Sequence, residues 1–508
     1  MTASLTPGTD RRPRSVSLHM AGLALVFTAG GMAVCGAVDV AMGGDALLAL
    51  LAAAVVTALV GVTLWRGSQV PAQLPPRKVF AAVTWSWLAM SAAGALPFLF
   101  AGVFDRVDDA LFESISGFTC TGSTVLTPEG FETTSPGVLF WRQMTQWFGG
   151  MGIIVLAVAV LPFLGVGGLE LIKAEAPGPT SDRLAPRVSE TAKRLWLVYL
   201  GFTVVSTVAL VAVGLSLYDA SAHARALVST GGFSPNAASI GEYDSFAVEL
   251  VLVIGMIIGG ASFTLHWQAI RGRLGVYWAS SELRLYLLGI AVATVAVALL
   301  LVDAGSGAAE SARAALFNVV TLATSCGFGN ATEAGALGDF VLWVPAAQVI
   351  LFAFMWSGGM TGSTSGGIKV LRVQVMGRLA WRELVRARHP RALRPIKQGH
   401  DAIDEGVVSR IAAFVLLYFV LAVVSTLVLA FLGTDLVTAF SGAVGSMGNM
   451  GPALGEAGPT SSFLVFSRPE RALLAVLMLV GRLEVFPMVL ALVAGAQRLG
   501  RLRPVRPR

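Results

Sequence analysis

The sequence has few charged residues and few cysteines for its length. Only 13% of its 508 residues are charged, whereas soluble globular domains carry about 25%. This deficit excludes an ordinary soluble enzyme or binding domain. Three cysteines are present, Cys35, Cys120 and Cys326, and this odd number implies no disulfide framework.

Histidine is also scarce, which limits the catalytic chemistry open to the chain. A serine hydrolase with Ser363 or Ser365 as nucleophile needs a neighbouring base. The five histidines are His19, His223, His266, His389 and His400. His266 lies near an apolar run, at its predicted cytoplasmic end, where a structural role fits better. The glycines at 165–168 lack the flanking strand and helix of a nucleotide-binding fingerprint, so we predict neither an enzyme nor a bound cofactor.

Long apolar runs are abundant, and 55% of the residues are hydrophobic. Ten runs reach roughly the 20 residues that cross a bilayer as a helix. They are continuous rather than alternating, which favours helices over a β-barrel. They occupy residues 18–41, 45–65, 79–103, 137–165, 195–218, 246–268, 285–303, 340–375, 408–432 and 470–496. We interpret the first run as an anchor rather than a signal peptide, because 38–44 offers no small-residue cleavage site and a second run follows at once.

Basic residues alternate with acidic ones between these predicted spans. Clusters of Lys and Arg follow spans two, four, six and eight and end the chain, whereas the opposite connections carry mostly acids. The positive-inside rule then puts both termini in the cytoplasm. Orientation therefore accounts for the formal charge of +6, so we predict the lipid bilayer as the environment and no nucleic-acid partner.

Four short segments between the spans resemble one another, each a small amphipathic stretch that runs into glycine, serine and threonine. Their key glycines, Gly122, Gly231, Gly327 and Gly451, are separated by 109, 96 and 124 residues. This period predicts four pore repeats of helix, pore helix, filter and helix, in an all-α membrane protein. The predicted parts are a cytoplasmic tail at 1–17, two additional N-terminal transmembrane helices at 18–70, pore repeats at 71–180, 181–275, 276–400 and 401–497, and a basic cytoplasmic tail at 498–508.

The composition of these segments suits a monovalent cation. A short helix that points its C-terminal end at an axis presents the negative end of its dipole there. The loop beyond it turns carbonyl groups inward to replace the hydration shell of the ion, and glycine permits the backbone angles required. Divalent ions prefer carboxylates, and none occurs among the predicted filter residues: Cys120, Thr121, Gly122, Ser229, Thr230, Gly231, Ser325, Cys326, Gly327, Asn449, Met450 and Gly451. A helix-packing face is the alternative for any one segment.

Two further features predict a gate. Span eight is interrupted at 357–367 by five glycines within ten residues, which disfavours a continuous helix. The predicted gating residues there are Gly358, Gly359, Gly362, Ser363, Thr364, Ser365, Gly366 and Gly367, followed by Lys369.

Arg482 is central in an apolar run, where charge is expensive and usually functional, so we expect it to face the pore. A buried structural ion pair is the alternative for Arg482, although Glu484, two residues on, does not share its face.

Six motifs carry a resemblance to a known family. They read FGGMGIIV at 148–155, LPFLGVGG at 161–168, AEAPGP at 174–179, STGGFS at 229–234, GSTSGGIK at 362–369 and GRLEVF at 481–486. Together they resemble the signatures of the Trk/Ktr/HKT family of potassium transporters over nearly the whole chain. The bacterial Trk-type membrane (pore) subunits, with two extra N-terminal spans, are the most similar branch.

The resemblance implies a function and an assembly. It implies K+ uptake across the inner membrane of a bacterium through a pseudo-fourfold pore with one filter glycine per repeat. It makes the 357–367 segment the intramembrane gate and Arg482 the pore arginine, and it implies a homodimer on a cytosolic ring of RCK-type nucleotide-binding regulatory subunits. Sodium-preferring plant relatives often carry serine at the first filter glycine, so Gly122 favours potassium. An H+- or Na+-coupled potassium symporter remains the alternative, and Glu484 is the one carboxylate convincingly placed in mid-span.

Overall fold

Helices make up most of the computed structural model, which describes residues 15–69, 76–164, 184–390, 394–398 and 401–483. The described chain begins with a helical hairpin, α1 (Val16–Ala41) and α2 (Leu47–Arg66). The predicted all-α class is confirmed apart from one short antiparallel pairing of β1 (Lys397–Gln398) with β2 (Asp401–Ala402), in which Lys397 lies opposite Ala402.

After the hairpin, a long helix, a short helix, an extended segment and a further helix follow one another four times. The first stretch contains α3 (Pro76–Gly94), α4 (Leu96–Phe100), α5 (Val107–Phe118), α6 (Pro128–Thr133) and α7 (Pro136–Leu164). The second contains α8 (Leu184–Ala212), α9 (Leu217–Val228), a 3-10 turn (Ser239–Tyr243), α10 (Phe246–Gly259) and α11 (Phe263–Ile270), and α12 (Gly275–Ala279) comes after it. The third contains α13 (Ser281–Asp303), α14 (Ala308–Ala323), a 3-10 turn (Phe340–Leu342), α15 (Pro345–Ser357) and α16 (Val370–Arg388). The fourth contains α17 (Glu405–Leu432), α18 (Leu436–Gly448), 3-10 turns (Gly455–Ala457 and Phe463–Val465) and α19 (Arg468–Leu483).

The four short helices α5, α9, α14 and α18 lie within the apolar core. Capping residues start two of them: Ser216 Oγ accepts a hydrogen bond from Asp219 N at 3.0 Å, and Asp435 Oδ1 accepts one from Val437 N at 2.9 Å. Such caps satisfy amide groups that have no partner inside the helix. Small residues then allow close packing, and Ala220, Ala222, Ala224 and Ala226 of α9 are all fully buried. The buried ends of these helices are thereby held close to one another.

The number of uninterrupted spans in the described residues is smaller than the ten predicted. Six described helices are long and apolar enough to cross a membrane, or seven if α10 and α11 form one span. The chain bends by 98° between α10 and α11, which the apolar pattern of the sequence does not predict. The run at 340–375 is divided by the break between Ser357 and Val370. The runs at 137–165 and 470–496 extend beyond the described residues.

Asp39, at the end of α1, fastens the N-terminal hairpin to the first stretch. Its carboxylate accepts hydrogen bonds from Ala46 N at 2.8 Å and from Gly137 N at 2.9 Å, and a third from the Ser135 hydroxyl. Burial of a carboxylate is tolerated when its oxygens are hydrogen-bonded in this way. The hairpin therefore packs against α3 and α7 at the periphery of the four short helices.

Candidate cation pathway

A residue with a positive φ follows each short helix within two positions of its end. The φ values are 54° at Cys120, 51° at Thr230, 53° at Ser325 and 50° at Asn449. A non-glycine residue in this region costs about 1–2 kcal/mol, and such strain persists where the surrounding structure enforces it. Because the four φ values are nearly the same and follow the four short helices, the four segments share one backbone motif.

The residue after each distortion makes the same hydrogen bond. Its amide donates to the carbonyl five residues earlier: Thr121 to Ser116 at 2.9 Å, Gly231 to Ala226 at 2.8 Å, Cys326 to Thr321 at 2.9 Å and Met450 to Gly445 at 2.9 Å. The four segments therefore correspond residue by residue, which fixes their mutual register.

This register differs by one residue from the sequence prediction in the second segment. Gly232, and not Gly231, is structurally equivalent to Gly122, Gly327 and Gly451. Gly231 instead matches Thr121, Cys326 and Met450, which all carry side chains. A shared Gly-Phe pair, Gly232-Phe233 and Gly327-Phe328, is the signal in the sequence that identifies the equivalent glycine.

The four segments contact one another in a closed ring. A Cβ atom built on Gly122 would lie 2.2 Å from the Gly231 carbonyl oxygen, and one on Gly232 would lie 2.2 Å from the Cys326 oxygen. A Cβ on Gly327 would lie 3.1 Å from Gly451 N, and one on Gly451 would lie 2.9 Å from the Gly122 oxygen. Contacts this close require glycine. The ring lines a cavity of about 140 Å³ to which Gly122, Gly232, Gly327 and Gly451 all contribute, whereas Gly231 does not.

Polar side chains of neighbouring helices hold the ring in place. Gln146 Nε2 donates to the Gly231 carbonyl at 2.6 Å, and its Oε1 accepts from Phe233 N at 3.1 Å. Asn449 Nδ2 donates to Met478 O at 2.8 Å and to Thr121 Oγ1 at 3.2 Å. These groups are buried, so the segments are fixed by hydrogen bonds in a low-dielectric environment.

A buried ion pair supports the wall of the cavity. Arg142 Nε lies 2.8 Å from Glu113 Oε1, with both side chains at most 2% exposed. The same guanidinium donates to Ser234 O at 2.7 Å and to Thr124 Oγ1 at 3.2 Å, so it joins the first segment to the second. Sequence reasoning missed this pair. A single arginine inside the predicted span 137–165 was the available signal.

A loop of residues 358–369, the glycine loop, lies against the C-terminal ends of the short helices. Thr364 Oγ1 donates to Val228 O at 3.0 Å, and Ser365 Oγ donates to Thr324 O at 2.7 Å. A Cβ on Gly366 would lie 1.9 Å from the carbonyl oxygen of residue 448. The tip of the loop thus touches the second, third and fourth short helices, and Thr364 and Ser365 are buried. The Lys369 ammonium donates back to Ser365 O.

Arg482 completes the contact at the first short helix. Its Nη1 donates to Thr364 O at 2.7 Å, and its Nη2 donates to Cys120 Sγ at 3.0 Å and Gly149 O at 3.1 Å. Arg482 is 2% exposed, and its Nε has no hydrogen-bond partner among the described residues. Within the described residues no carboxylate pairs with Arg482, while Glu484 lies outside them.

The structure thus brings the predicted filter residues and the predicted gating residues to one place. Four backbone segments form a ring of carbonyl and amide groups that carries no carboxylate among the described residues. The glycine loop and Arg482 fill the space on the side where the short helices end. Negative helix ends and backbone carbonyl oxygens suit a dehydrated monovalent cation.

Comparison with known proteins agrees with a role in cation transport. Residues 49–497 match the TrkH family, whose description is cation transport protein. The chain belongs to the TrkH family. It is 37% identical over 478 residues to the "Trk system potassium uptake protein TrkH" of Escherichia coli K12, which covers 93% of this chain and 96% of that protein. It is 39% identical to the TrkH of Vibrio parahaemolyticus over 428 residues, with 83% of this chain and 86% of that protein covered.

A solved structure is similar over nearly the whole chain. The crystal structure of the potassium transporter TrkH from Vibrio parahaemolyticus matches with a TM-score of 0.85 at 34% identity, and covers 94% of this chain and 98% of that one. The family resemblance found in the sequence is therefore confirmed. The relatives are transport proteins, which agrees with the prediction that the chain is not an enzyme.

Proposed function

We propose that this chain takes up potassium into a bacterial cell through a pore formed by its four successive stretches, which act as repeats in a ten-span membrane protein. The observation that carries the proposal is the closed ring of four glycine segments with a loop beneath it. The names of the relatives, which specify potassium uptake, support the choice of ion.

The ring acts as the selectivity filter in this proposal. Backbone carbonyl groups of the four segments replace the water around K+, and the C-terminal ends of α5, α9, α14 and α18 add favourable negative potential. The predicted filter residues keep their role, with Gly232 in place of Gly231 as the second filter glycine. The ion is the transported substrate, and no resident cofactor is required.

The glycine loop and Arg482 act as the gate. Displacement of the loop breaks the hydrogen bonds of Ser365 to Thr324, of Gly366 N to Ser325 Oγ at 2.7 Å, and of Arg482 to Thr364. Each bond contributes about 1 kcal/mol net, and more for the charged arginine. Opening therefore costs a few kcal/mol, an amount that a regulatory protein can supply by binding one state preferentially.

The basic ends of the helices orient the chain and suggest its partners. Arg378, Arg382, Arg386 and Arg388 lie on α16, which begins where the glycine loop ends. We assign this face and both termini to the cytoplasm. A cytosolic RCK-type nucleotide-binding subunit that docks on this face would act directly on the loop. In a homodimer of this chain, such a partner would bind both copies.

The proposal is tested by 86Rb+ uptake into proteoliposomes that contain the purified chain, driven by an imposed inside-negative voltage. We expect uptake without any H+ or Na+ gradient. Gly122→Ser should make it sodium-permissive, because the added atoms meet the Gly231 carbonyl. Gly214→Ser is the matched control, since Gly214 has φ of 107° but no neighbour within 4 Å of its Cβ position. Uptake that requires an H+ or Na+ gradient would instead establish a symporter.

A further inference from the structure

A large apolar cavity lies behind the elements that hold the glycine loop. It has a volume of about 820 Å³ and is bounded by α8, α10, α11, α12 and the start of α13. Its walls include Leu197, Gly201, Phe202, Ile257 and Trp267. Volumes of roughly 300–1,000 Å³ are typical of ligand sites, so this cavity is large enough for a hydrocarbon chain.

The polar groups in the cavity wall are already paired with each other. His266 Nε2 lies 2.9 Å from Ile258 O, and Nδ1 lies 2.9 Å from the Tyr277 hydroxyl. Donation from Nε2 leaves Nδ1 to accept from the hydroxyl group, so the imidazole has no hydrogen-bonding capacity left. The interior therefore favours an apolar occupant over a polar one.

The rim of the cavity is cationic and aromatic. Arg284 lines the cavity and is exposed, and Arg271 lies with its guanidinium 5.7 Å from the ring centre of Trp267. Trp278 is 81% exposed at the same rim. None of the described lining residues carries a negative charge. Exposed tryptophan is typical of the membrane interface, and basic pockets between spans on the cytoplasmic side bind anionic lipid headgroups.

The cavity shares its wall with the supports of the glycine loop. Phe263, which lines the cavity, donates from its amide to Gly362 O at 3.0 Å. Glu282, adjacent to the lining residue Leu283, accepts hydrogen bonds from Thr361 N at 2.7 Å and Leu371 N at 3.2 Å. An occupant that fills the cavity supports Phe263 and Leu283 in the positions they have here, and so favours the hydrogen bonds that hold the glycine loop.

We propose that one acyl chain of an anionic phospholipid occupies this cavity, with its phosphate against Arg284 and Arg271, and that its presence stabilises the obstructing position of the glycine loop. The effect on transport rests on the function proposed above, whereas the binding of the lipid does not. Gly201 provides a precise test, because no atom lies within 4 Å of its Cβ position. A leucine there adds side-chain atoms at the cavity wall, and its Cβ meets no atom of the protein within 4 Å.

Lipid binding is measured by native mass spectrometry of the purified full chain with added phosphatidylglycerol or phosphatidylcholine. We expect the wild type to retain phosphatidylglycerol in preference. Gly201→Leu should lower this retention on the order of tenfold, since it displaces about two methylene groups, and Arg284→Gln should lower it about fivefold. Gly30→Leu, which also has no atom within 4 Å of its Cβ position, should change nothing. Equal retention in Gly201→Leu and wild type would overturn the proposal, as would an altered oligomer mass with unchanged lipid, which would make the cavity a contact between copies.

The transport arm uses 86Rb+ uptake in vesicles with and without phosphatidylglycerol. Wild-type uptake should be about fivefold lower with the anionic lipid, in proportion to its preference for the closed state. Uptake by Gly201→Leu should be the same in both vesicles. A lipid effect that persists in Gly201→Leu would refute the coupling, and failure of every variant to take up 86Rb+ while lipid is still bound would count against the proposed function alone.

Discussion

Substituting Gly231 and Gly232 one at a time tests which of these two adjacent glycines occupies the position equivalent to Gly122, Gly327 and Gly451. Gly232 has φ of 77°, and its Cβ position lies 2.2 Å from the Cys326 carbonyl oxygen. Gly231 is not among the residues with positive φ, and the three atoms nearest its Cβ position all belong to the side chain of Gln146, the first at 2.4 Å. Gly232→Ala should therefore distort the ring, whereas Gly231→Ala should displace one side chain behind it.

The magnitude follows from these contacts. Alanine in the left-handed region costs about 1–2 kcal/mol, and the Cys326 carbonyl must retreat by roughly 1 Å to reach van der Waals distance. One to two kcal/mol is a factor of roughly 5–30, so we expect the K+ over Na+ preference of Gly232→Ala to fall about tenfold. For Gly231→Ala the displaced Gln146 side chain loses two hydrogen bonds, to Gly231 O and from Phe233 N, each worth about 1 kcal/mol. No left-handed residue is strained, and equivalent positions already carry the side chains of Thr121 and Met450, so its selectivity should fall less than that of Gly232→Ala.

The assay is 86Rb+ uptake in proteoliposomes with increasing Na+ as competitor, on variants that elute from a sizing column as the wild type does. The ratio of apparent K+ and Na+ affinities is the measured quantity. A larger loss of selectivity in Gly231→Ala than in Gly232→Ala would refute the register with Gly232 at the cavity and restore the one with Gly231. Equal loss in both would show that the ring does not depend on which glycine faces the cavity.

Three other substitutions examine the contacts around the pathway. Arg142→Met leaves the Glu113 carboxylate buried without its ion-pair partner, so the stability measured by unfolding in detergent should fall by about 3–5 kcal/mol, and adding Glu113→Gln should recover most of it. Ser365→Ala removes the hydrogen bond to Thr324 O and should raise voltage-driven 86Rb+ uptake up to about fivefold. Arg482→Gln removes the charge that contacts the glycine loop and should raise uptake roughly tenfold, as fits a hydrogen bond to a charged group.

Controls for these variants are available in the same regions. The Ser363 hydroxyl donates within the glycine loop, to Met360 O at 2.6 Å, and not to a short helix, so Ser363→Ala should raise uptake less than Ser365→Ala does. Faster uptake in Ser363→Ala and Ser365→Ala alike would mean that loop flexibility, and not contact with the short helix, sets the rate. An Arg142→Met protein as stable as the wild type would show that the ion pair contributes little.

The sequence was most informative where a local pattern has a local cause. Glycine density predicted the break after Ser357, and short runs of Gly, Ser and Thr located the four segments that form the glycine ring. Apolar length predicted the spans that are single helices, such as α13 and α17, because hydrophobicity over about 20 residues needs no knowledge of neighbours.

Features that depend on distant contacts were not predictable in the same way. The 98° bend between α10 and α11 accommodates the glycine loop, since Gly260 O accepts from Met360 N at 2.8 Å, and a partner 100 residues away leaves no periodicity in the sequence. The pairing of Glu113 with Arg142 likewise needed both helices in place. The sequence prediction misaligned the second segment by one residue. Gly231 and Gly232 are consecutive, and amino-acid composition does not distinguish between them.

The closed ring of four glycine segments has a consequence for variation of the proposed pore. In a channel assembled from identical subunits, one codon change alters every corner of the filter at once. Here Gly122, Gly232, Gly327 and Gly451 are encoded separately and occupy a fixed cyclic order. Under the proposed function, selection or a protein engineer can therefore change the filter at one position at a time, and each intermediate variant is a protein of a single defined composition.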